Sequence, residues 1–326
     1  MTHSWKGQRD AYKKALEYLQ GRRKGTIKSF ITPHPKVNDA GVAGWEWHST
    51  IAIGARPGVG KTAYKDQVIR RGFELNKGEN MRVLEFQFEM FGQTQAIREF
   101  CTILEKPYKY VCSAESPEQK LSDEELKLLY EHSKLRVEYP IDVVEKQETV
   151  PQMVQTIKKY MNHHKVDGVF KKTIVTLDHT LLVKRMPGES FHNMLYALGE
   201  AITELKREYP IIFLILSQLN RDIEDPKRSE NGSYRNYALT SDFFGADALL
   251  MHCDIMMAWT KPSRRNIKYY GPDMYLMESD TLICHFLKVR NGDPRMSFFK
   301  FKGDTMEIVE INTPGRQSQK VSTKTA

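Results

Sequence analysis

The segment Ile51-Ala-Ile-Gly-Ala-Arg-Pro-Gly-Val-Gly-Lys-Thr62 leaves few options for the fold around it. An apolar strand runs into a glycine-bearing loop, and the loop opens a helix read over Ala63 to Gly78. A strand–loop–helix turn of this kind aims loop and helix N–H groups at an anion. Ala55, Arg56, Pro57, Gly58, Val59, Gly60, Lys61 and Thr62 are therefore the expected phosphate-binding loop. Lys61 can reach the β- and γ-phosphates, and the Thr62 hydroxyl can complete the coordination of Mg²⁺, so ATP and Mg²⁺ are the expected ligands. The pattern departs from its usual form at its first position, which is Ala55 with Gly54 just before it.

Apolar strands and helices alternate after this loop. Strands are predicted at Arg82–Phe88, Thr173–Asp178 and Ile211–Leu216, with helices from Glu89 to Leu104, from Leu121, over Val150–His163 and over Phe191–Tyr209. Such alternation predicts an α/β fold with a mostly parallel central sheet flanked by helices. Beyond Asp254 the pattern changes to shorter strands, Asp254–Thr260, Leu282–Val289, Met296–Phe301 and Met306–Ile311, read as C-terminal hairpins. Trp5–Gln20 reads as an amphipathic helix with Trp5, Tyr12, Leu16 and Leu19 near one face. Isolated by a polar linker, that helix must dock elsewhere, for which a neighbouring subunit is a natural candidate. Arg221–Tyr237 is polar and turn-rich, as a mobile loop would be. The expected organisation is a basic helix over 1–22, a linker over 23–40, one large domain over 41–312 and a disordered basic tail over 313–326.

The formal net charge of +8 is carried by the first 36 residues and by the tail from Pro314, leaving the core near neutral. Basic ends of this kind suit nucleic acid but equally a solvated helix. No apolar run approaches the roughly 20 residues that a membrane span needs, and no leader is evident, so a cytoplasmic protein is expected. Cys101, Cys112, Cys253 and Cys284 lack metal-ligand spacing and read as reduced, buried thiols.

In a parallel α/β sheet the C-terminal strand ends line the ligand crevice. Asp178 ends such a strand and suits a Mg²⁺ carboxylate. Glu89 follows another and can orient or deprotonate the attacking water. Gln218 ends a third, where its amide is either a γ-phosphate contact or a simple strand-end cap.

Together Ala55-Arg-Pro-Gly-Val-Gly-Lys-Thr62, Phe86-Gln-Phe-Glu-Met90, Leu177-Asp178, Leu216-Ser-Gln-Leu-Asn-Arg221 and Lys288-Val-Arg-Asn-Gly292 resemble, in order, the motifs of DnaB-type replicative helicases. The likeness covers roughly residues 40 to 312, and Arg98 keeps the family's spacing from Glu89. It implies a RecA-like P-loop NTPase working as a homo-hexamer on single-stranded DNA. Glu89 is then the catalytic base, Asp178 the Mg²⁺ carboxylate and Gln218 the γ-phosphate sensor. Lys288 and Arg290 reach into the next subunit's nucleotide, and Trp5–Gln20 takes the place of the family's linker helix.

Departures from the family accompany the likeness. The N-terminal helical domain, which carries primase and helicase-loader contacts, is expected to be missing. Asp178-His-Thr-Leu181 replaces the family's Asp-Tyr-Leu-Gln. Lys184 and Arg185 stand where one DNA loop begins. The second DNA loop corresponds to Ser241–Asp247, which has no arginine and carries Phe243 and Phe244, either of which could stack on a base or belong to the core. The resemblance implies an ATP-dependent DNA helicase moving 5′ to 3′. A RecA-like recombination or annealing ATPase and a KaiC-like regulatory ATPase are the alternatives.

Overall fold

A computed structural model describes residues 7–88, 92–113, 120–245, 248 and 251–317. Its centre is a sheet built first from β1 (Ser49–Ala55), β2 (Met81–Gln87), β3 (Ile141–Val144), β4 (Lys172–Asp178), β5 (Ile211–Gln218) and β6 (Ile255–Thr260). A small ribbon of β7 (Tyr269–Tyr270) and β8 (Tyr275–Leu276) stands apart, and β9 (Thr281–Val289), β10 (Arg295–Lys302) and β11 (Glu307–Ile311) complete the main sheet. The spatial order is β3-β2-β4-β5-β1-β6-β9-β10-β11. From β3 to β6 all neighbours are parallel, and β9, β10 and β11 add antiparallel pairs. The expected α/β class and C-terminal hairpins are both present.

Alternation along the central strands decides what each face buries. Ile211, Phe213 and Ile215 of β5 join one core with Val175 and Leu177, while Ile212, Leu214 and Leu216 join the other with Ile51 and Ile53. The first core is covered by α7 (Val150–His163) and α8 (Phe191–Glu208), through Met153, Ile157, Leu198 and Ile202. The second is covered by α3 (Lys61–Leu75), through Tyr64, Val68 and Ile69. Farther out lie α4 (Gly92–Leu104), α5 (Tyr108–Cys112) and α6 (Asp123–Arg136), the last opened by a Ser122–Glu125 capping box.

Four expectations change. Part of the 23–40 segment is folded onto the domain and is not a free linker. Phe30 and Trp45 exchange backbone hydrogen bonds of 2.7 and 2.9 Å and stack at 5.9 Å, and Val37 of α2 (Pro35–Ala40) is fully buried. Arg221–Tyr237 is pinned rather than mobile: Arg228 forks onto Asp242 at 2.5 and 2.8 Å, and Arg265 donates to the Ile223 and Asn236 carbonyls. In the tail, the Gly315 carbonyl accepts from Leu276 N–H at 2.9 Å and Arg316 donates to the Tyr275 hydroxyl at 2.8 Å, so residues 313–317 are ordered along β8. Cys101, Cys253 and Cys284 are buried as expected, but Cys112 is exposed.

The first helix, α1, spans Gln8–Lys24 and ends at Gly25 in the left-handed conformation, φ 70°. Trp5 of the expected helix lies outside the described residues. Tyr12, Leu16 and Leu19 are all exposed, so α1 presents an apolar stripe that the described domain does not cover.

Candidate nucleotide site and inter-subunit face

β1 is buried along its whole length and delivers the phosphate loop to the C-terminal end of the sheet. Gly58 (φ 75°) and Gly60 (φ 107°) take left-handed conformations that a side chain would strain. Gly54 is fixed by packing instead, because a Cβ there would fall 2.6 Å from the Phe243 ring and 2.7 Å from Leu219. That close approach explains why glycine stands one place before Ala55. Lys61 and Thr62 open α3, whose first-turn amides face the loop. The loop is braced from outside: the Arg56 guanidinium lies 3.1 Å from the Glu224 carboxylate and donates to the Leu219 carbonyl at 3.0 Å, and Arg264 donates to the Pro57 carbonyl.

Strand register gathers the other candidates. Ala55 pairs with Gln218, and Asp178 pairs with Leu216 on one side and Gln87 on the other. Phe88 N–H donates to the Asp178 carbonyl at 3.2 Å; Glu89, the next residue, lies outside the described residues. Asp178 is 2 % exposed, and its Oδ1 has no hydrogen-bond partner among the described residues. Asp178 lies two strands from β1 and is not itself among the residues lining the cleft with Thr62, but a buried carboxylate oxygen left open at this end of the sheet fits a Mg²⁺ site.

A cleft of about 360 Å³ is lined by the phosphate loop together with Arg98, His179, Gln218, Phe301, Gly303 and Met306. The sequence reading missed His179, Phe301 and Met306 as part of it. Phe301 and Met306 come from β10 and the turn after it, far along the chain from the loop, and their only signal was an aromatic-rich strand. Burial, with Lys61 nearby, holds the His179 imidazole down at about 4, so it stays neutral near pH 7.

Lys288 and Arg290 lie elsewhere. β9 runs antiparallel to β6, so Lys288 pairs with Met256 and Val289 with Ile255, and Ile255 is level with Ile51 at the start of β1. Both cations therefore sit at the end of the sheet opposite the chain's own phosphate loop. Ile51 to Ala55 alone, at roughly 3.3 Å per residue, spans about 13 Å. Arg290 is half-exposed, its Nε 3.0 Å from Asp254 Oδ1, and its N–H donates to the Asp254 carbonyl at 2.8 Å. Burial, with Arg290 and Lys206 close by, pulls the Lys288 ammonium below its ordinary value.

The candidate DNA residues lie on two separate loops. Lys184 and Arg185 are exposed on the loop between β4 and α8, and Lys184 N–H donates to the Glu148 carbonyl at 3.0 Å. Phe191 opens α8 directly after that loop and meets Phe244 edge-on at 5.0 Å. Phe243 is core, at 1 % exposure, whereas Phe244 is 41 % exposed. Phe244 N–H donates to the Gln218 carbonyl at 3.0 Å, which ties this surface to the end of β5. Ala246 and Asp247 lie outside the described residues.

Residues 35–310 match the model of the DnaB-like helicase C terminal domain. The chain belongs to the DnaB-like helicase family. Among solved structures, the fold is similar to one described as a DnaB-like replicative helicase and its interactions with primase, with a TM-score of 0.72 and 16% identity over 88% of this chain. The chain spans 64% of that protein's chain. It is also similar to a second solved structure, described as an ATPase domain, with a TM-score of 0.73 and 16% identity, covering 92% of this chain and 98% of that one. At this identity the two likenesses speak for the fold. A search of curated proteins gives no match. No helix among the described residues is long and apolar enough to cross a membrane.

Proposed function

We propose that the chain is the motor of a ring-forming, ATP-dependent DNA helicase that moves 5′ to 3′ along single-stranded DNA and hydrolyses ATP between subunits of a homo-hexamer. The observation that carries this reading is the placement of Lys288 and Arg290 at the opposite end of the sheet from Lys61. A cation pair there cannot serve its own nucleotide, but in a head-to-tail ring it meets the neighbour's. The uncovered stripe of Tyr12, Leu16 and Leu19 on α1 supports the same assembly, because a second subunit would bury it.

At each interface Lys61 and the loop amides would hold the ATP phosphates, with Phe301 and Met306 offering apolar cover farther along the cleft. Thr62 and Asp178 would hold Mg²⁺, which when bound neutralises charge across the β- and γ-phosphates. Glu89 would orient and deprotonate the attacking water, and the Gln218 amide would contact the γ-phosphate. Because Gln218 and Phe244 share a backbone hydrogen bond, a change at the γ-phosphate has a short path to the proposed DNA surface.

A strand-displacement assay on forked duplexes with 5′ or 3′ tails tests the reading. Unwinding that needs ATP and a 5′ tail is the expected result; ATPase without unwinding or DNA stimulation would point to a regulatory ATPase. Glu89→Gln should keep ATP binding and lose hydrolysis, and hydrolysis at the parental rate would remove Glu89 from the site.

The DNA surface has its own test in salt titrations of single-strand binding. If Lys184 and Arg185 each meet a phosphate, replacing both by Ala should lower the log–log salt slope by about 0.7 for each contact. Phe244→Ala should cost about 1–3 kcal/mol of DNA affinity if the ring stacks on a base, with little change in melting temperature. An unchanged slope and unchanged affinity would move the DNA path to other residues.

A further inference from the structure

We propose that His179 donates a hydrogen bond from Nε2 to a terminal phosphate oxygen of the bound nucleoside triphosphate, a contact that rests on the ATPase reading above. His179 directly follows the last residue of β4 and lines the cleft with Lys61, Thr62 and Gln218. Since Asp178 is level with Leu216, His179 stands beside the strand end that carries Gln218. With the inner part of a phosphate chain held by the loop, residues at these two strand ends would face its outer part.

The ring is already oriented. Its Nδ1 accepts from the Leu181 N–H at 3.3 Å, capping the short turn Thr180–Leu182. An imidazole whose Nδ1 is an acceptor carries its proton on Nε2. His179 therefore brings a fixed donor to the cleft, set there at no cost in reorganisation when charge shifts onto the terminal phosphate. Such donors contribute most where charge develops in the transition state. Neither Lys61 nor Gln218 duplicates this contact, since each approaches from a different strand or helix end.

Two substitutions separate the two nitrogens. In H179N the short amide can still accept from Leu181 N–H, as an Asx turn does, but has no donor at the reach of Nε2. In H179Q an amide N–H regains that reach. The measurements are steady-state ATPase, and binding of ADP and of a non-hydrolysable ATP analogue, for the full chain with Mg²⁺. H179N should bind ADP like the parent and the analogue about tenfold more weakly, the worth of one hydrogen bond. Its kcat should fall by about 10²–10³, as when one transition-state donor is removed. H179Q should recover part of both. Should H179N fail to fold, H179F fills the same space without a donor and carries the same expectation.

A parental kcat and parental analogue affinity in H179N would overturn the contact while leaving the ATPase reading intact. So would equal weakening of ADP and analogue with no recovery in H179Q, which would make His179 a shaper of the turn alone. A parent that neither binds the analogue nor hydrolyses ATP would remove both.

Discussion

Arg290→Ala is expected to lower ATP turnover by about 10³–10⁵-fold while ATP still binds, the range typical of a lost arginine finger. Binding should survive because the substituted residue stands at the far end of the sheet from the loop that holds the phosphates. The fold should survive as well, since Arg290 is half-exposed and Asp254, its partner at 3.0 Å, keeps the Lys206 ammonium at 2.6 Å. Lys61→Ala is expected to be equally inactive, by loss of the charge at the β- and γ-phosphates. The informative sample is the mixture of the two. A ring assembled from both variants contains interfaces where an intact phosphate loop on an Arg290→Ala subunit faces an intact finger on a Lys61→Ala subunit. Those interfaces should hydrolyse ATP, so the mixture should regain activity that neither protein has alone. A mixture as inactive as its components, with mixed rings demonstrated by native mass spectrometry, would mean that the catalytic cation is not supplied across the interface. Lys288 would then need the same test, because it lies on the same edge.

What the sequence makes legible follows the range of the physics involved. The phosphate loop is a local object: strand, glycines and helix start are contiguous, so Gly58, Gly60 and Lys61 are readable from their neighbours alone. The central strands are readable because their apolar runs reflect burial on both faces, and the helix at Val150–His163 matches its expected bounds residue for residue. Segment 23–40 reads as linker because the burial of its second half depends on distant partners. Phe30 packs against Gly72, where a Cβ would fall 2.7 Å from the ring, and nothing near Phe30 in sequence announces that contact. The same holds for Arg221–Tyr237, whose polar composition suggests motion. Its order comes from Arg228 reaching Asp242, fourteen positions on, and from Arg265 beyond that. Phe243 and Phe244 show how adjacent identical residues separate: one is driven into the core beside Gly54 and its neighbour is turned out.

Lys65 escapes the sequence reading too, although a charged residue four places before Ile69 on an apolar helix face is a visible anomaly. It is fully buried in α3, with Nζ 2.8 Å from Asp66 Oδ1 and 3.2 Å from Glu85 Oε1. Burial alone would lower its pKa, but Asp66, Glu85 and Asp178 more than offset this and keep the ammonium charged. Removing one partner of a buried pair strands the other, at a cost of about 3–5 kcal/mol. Glu85→Ala should therefore destabilise the domain by about that amount, toward the lower end because Asp66 remains. Lys65→Met with Glu85→Leu, which removes both charges and keeps the volume, should recover most of the loss, since apolar replacement of a buried pair is often neutral or better. Urea denaturation followed by circular dichroism would measure both, with the m-value checking that the unfolding transition is unchanged. A Glu85→Ala protein within about 1 kcal/mol of the parent, the worth of an ordinary hydrogen bond, would show that Asp66 alone satisfies Lys65. A double variant no more stable than Glu85→Ala would show that the fold requires the charge of Lys65 itself, held by Asp66, Glu85 and Asp178 together.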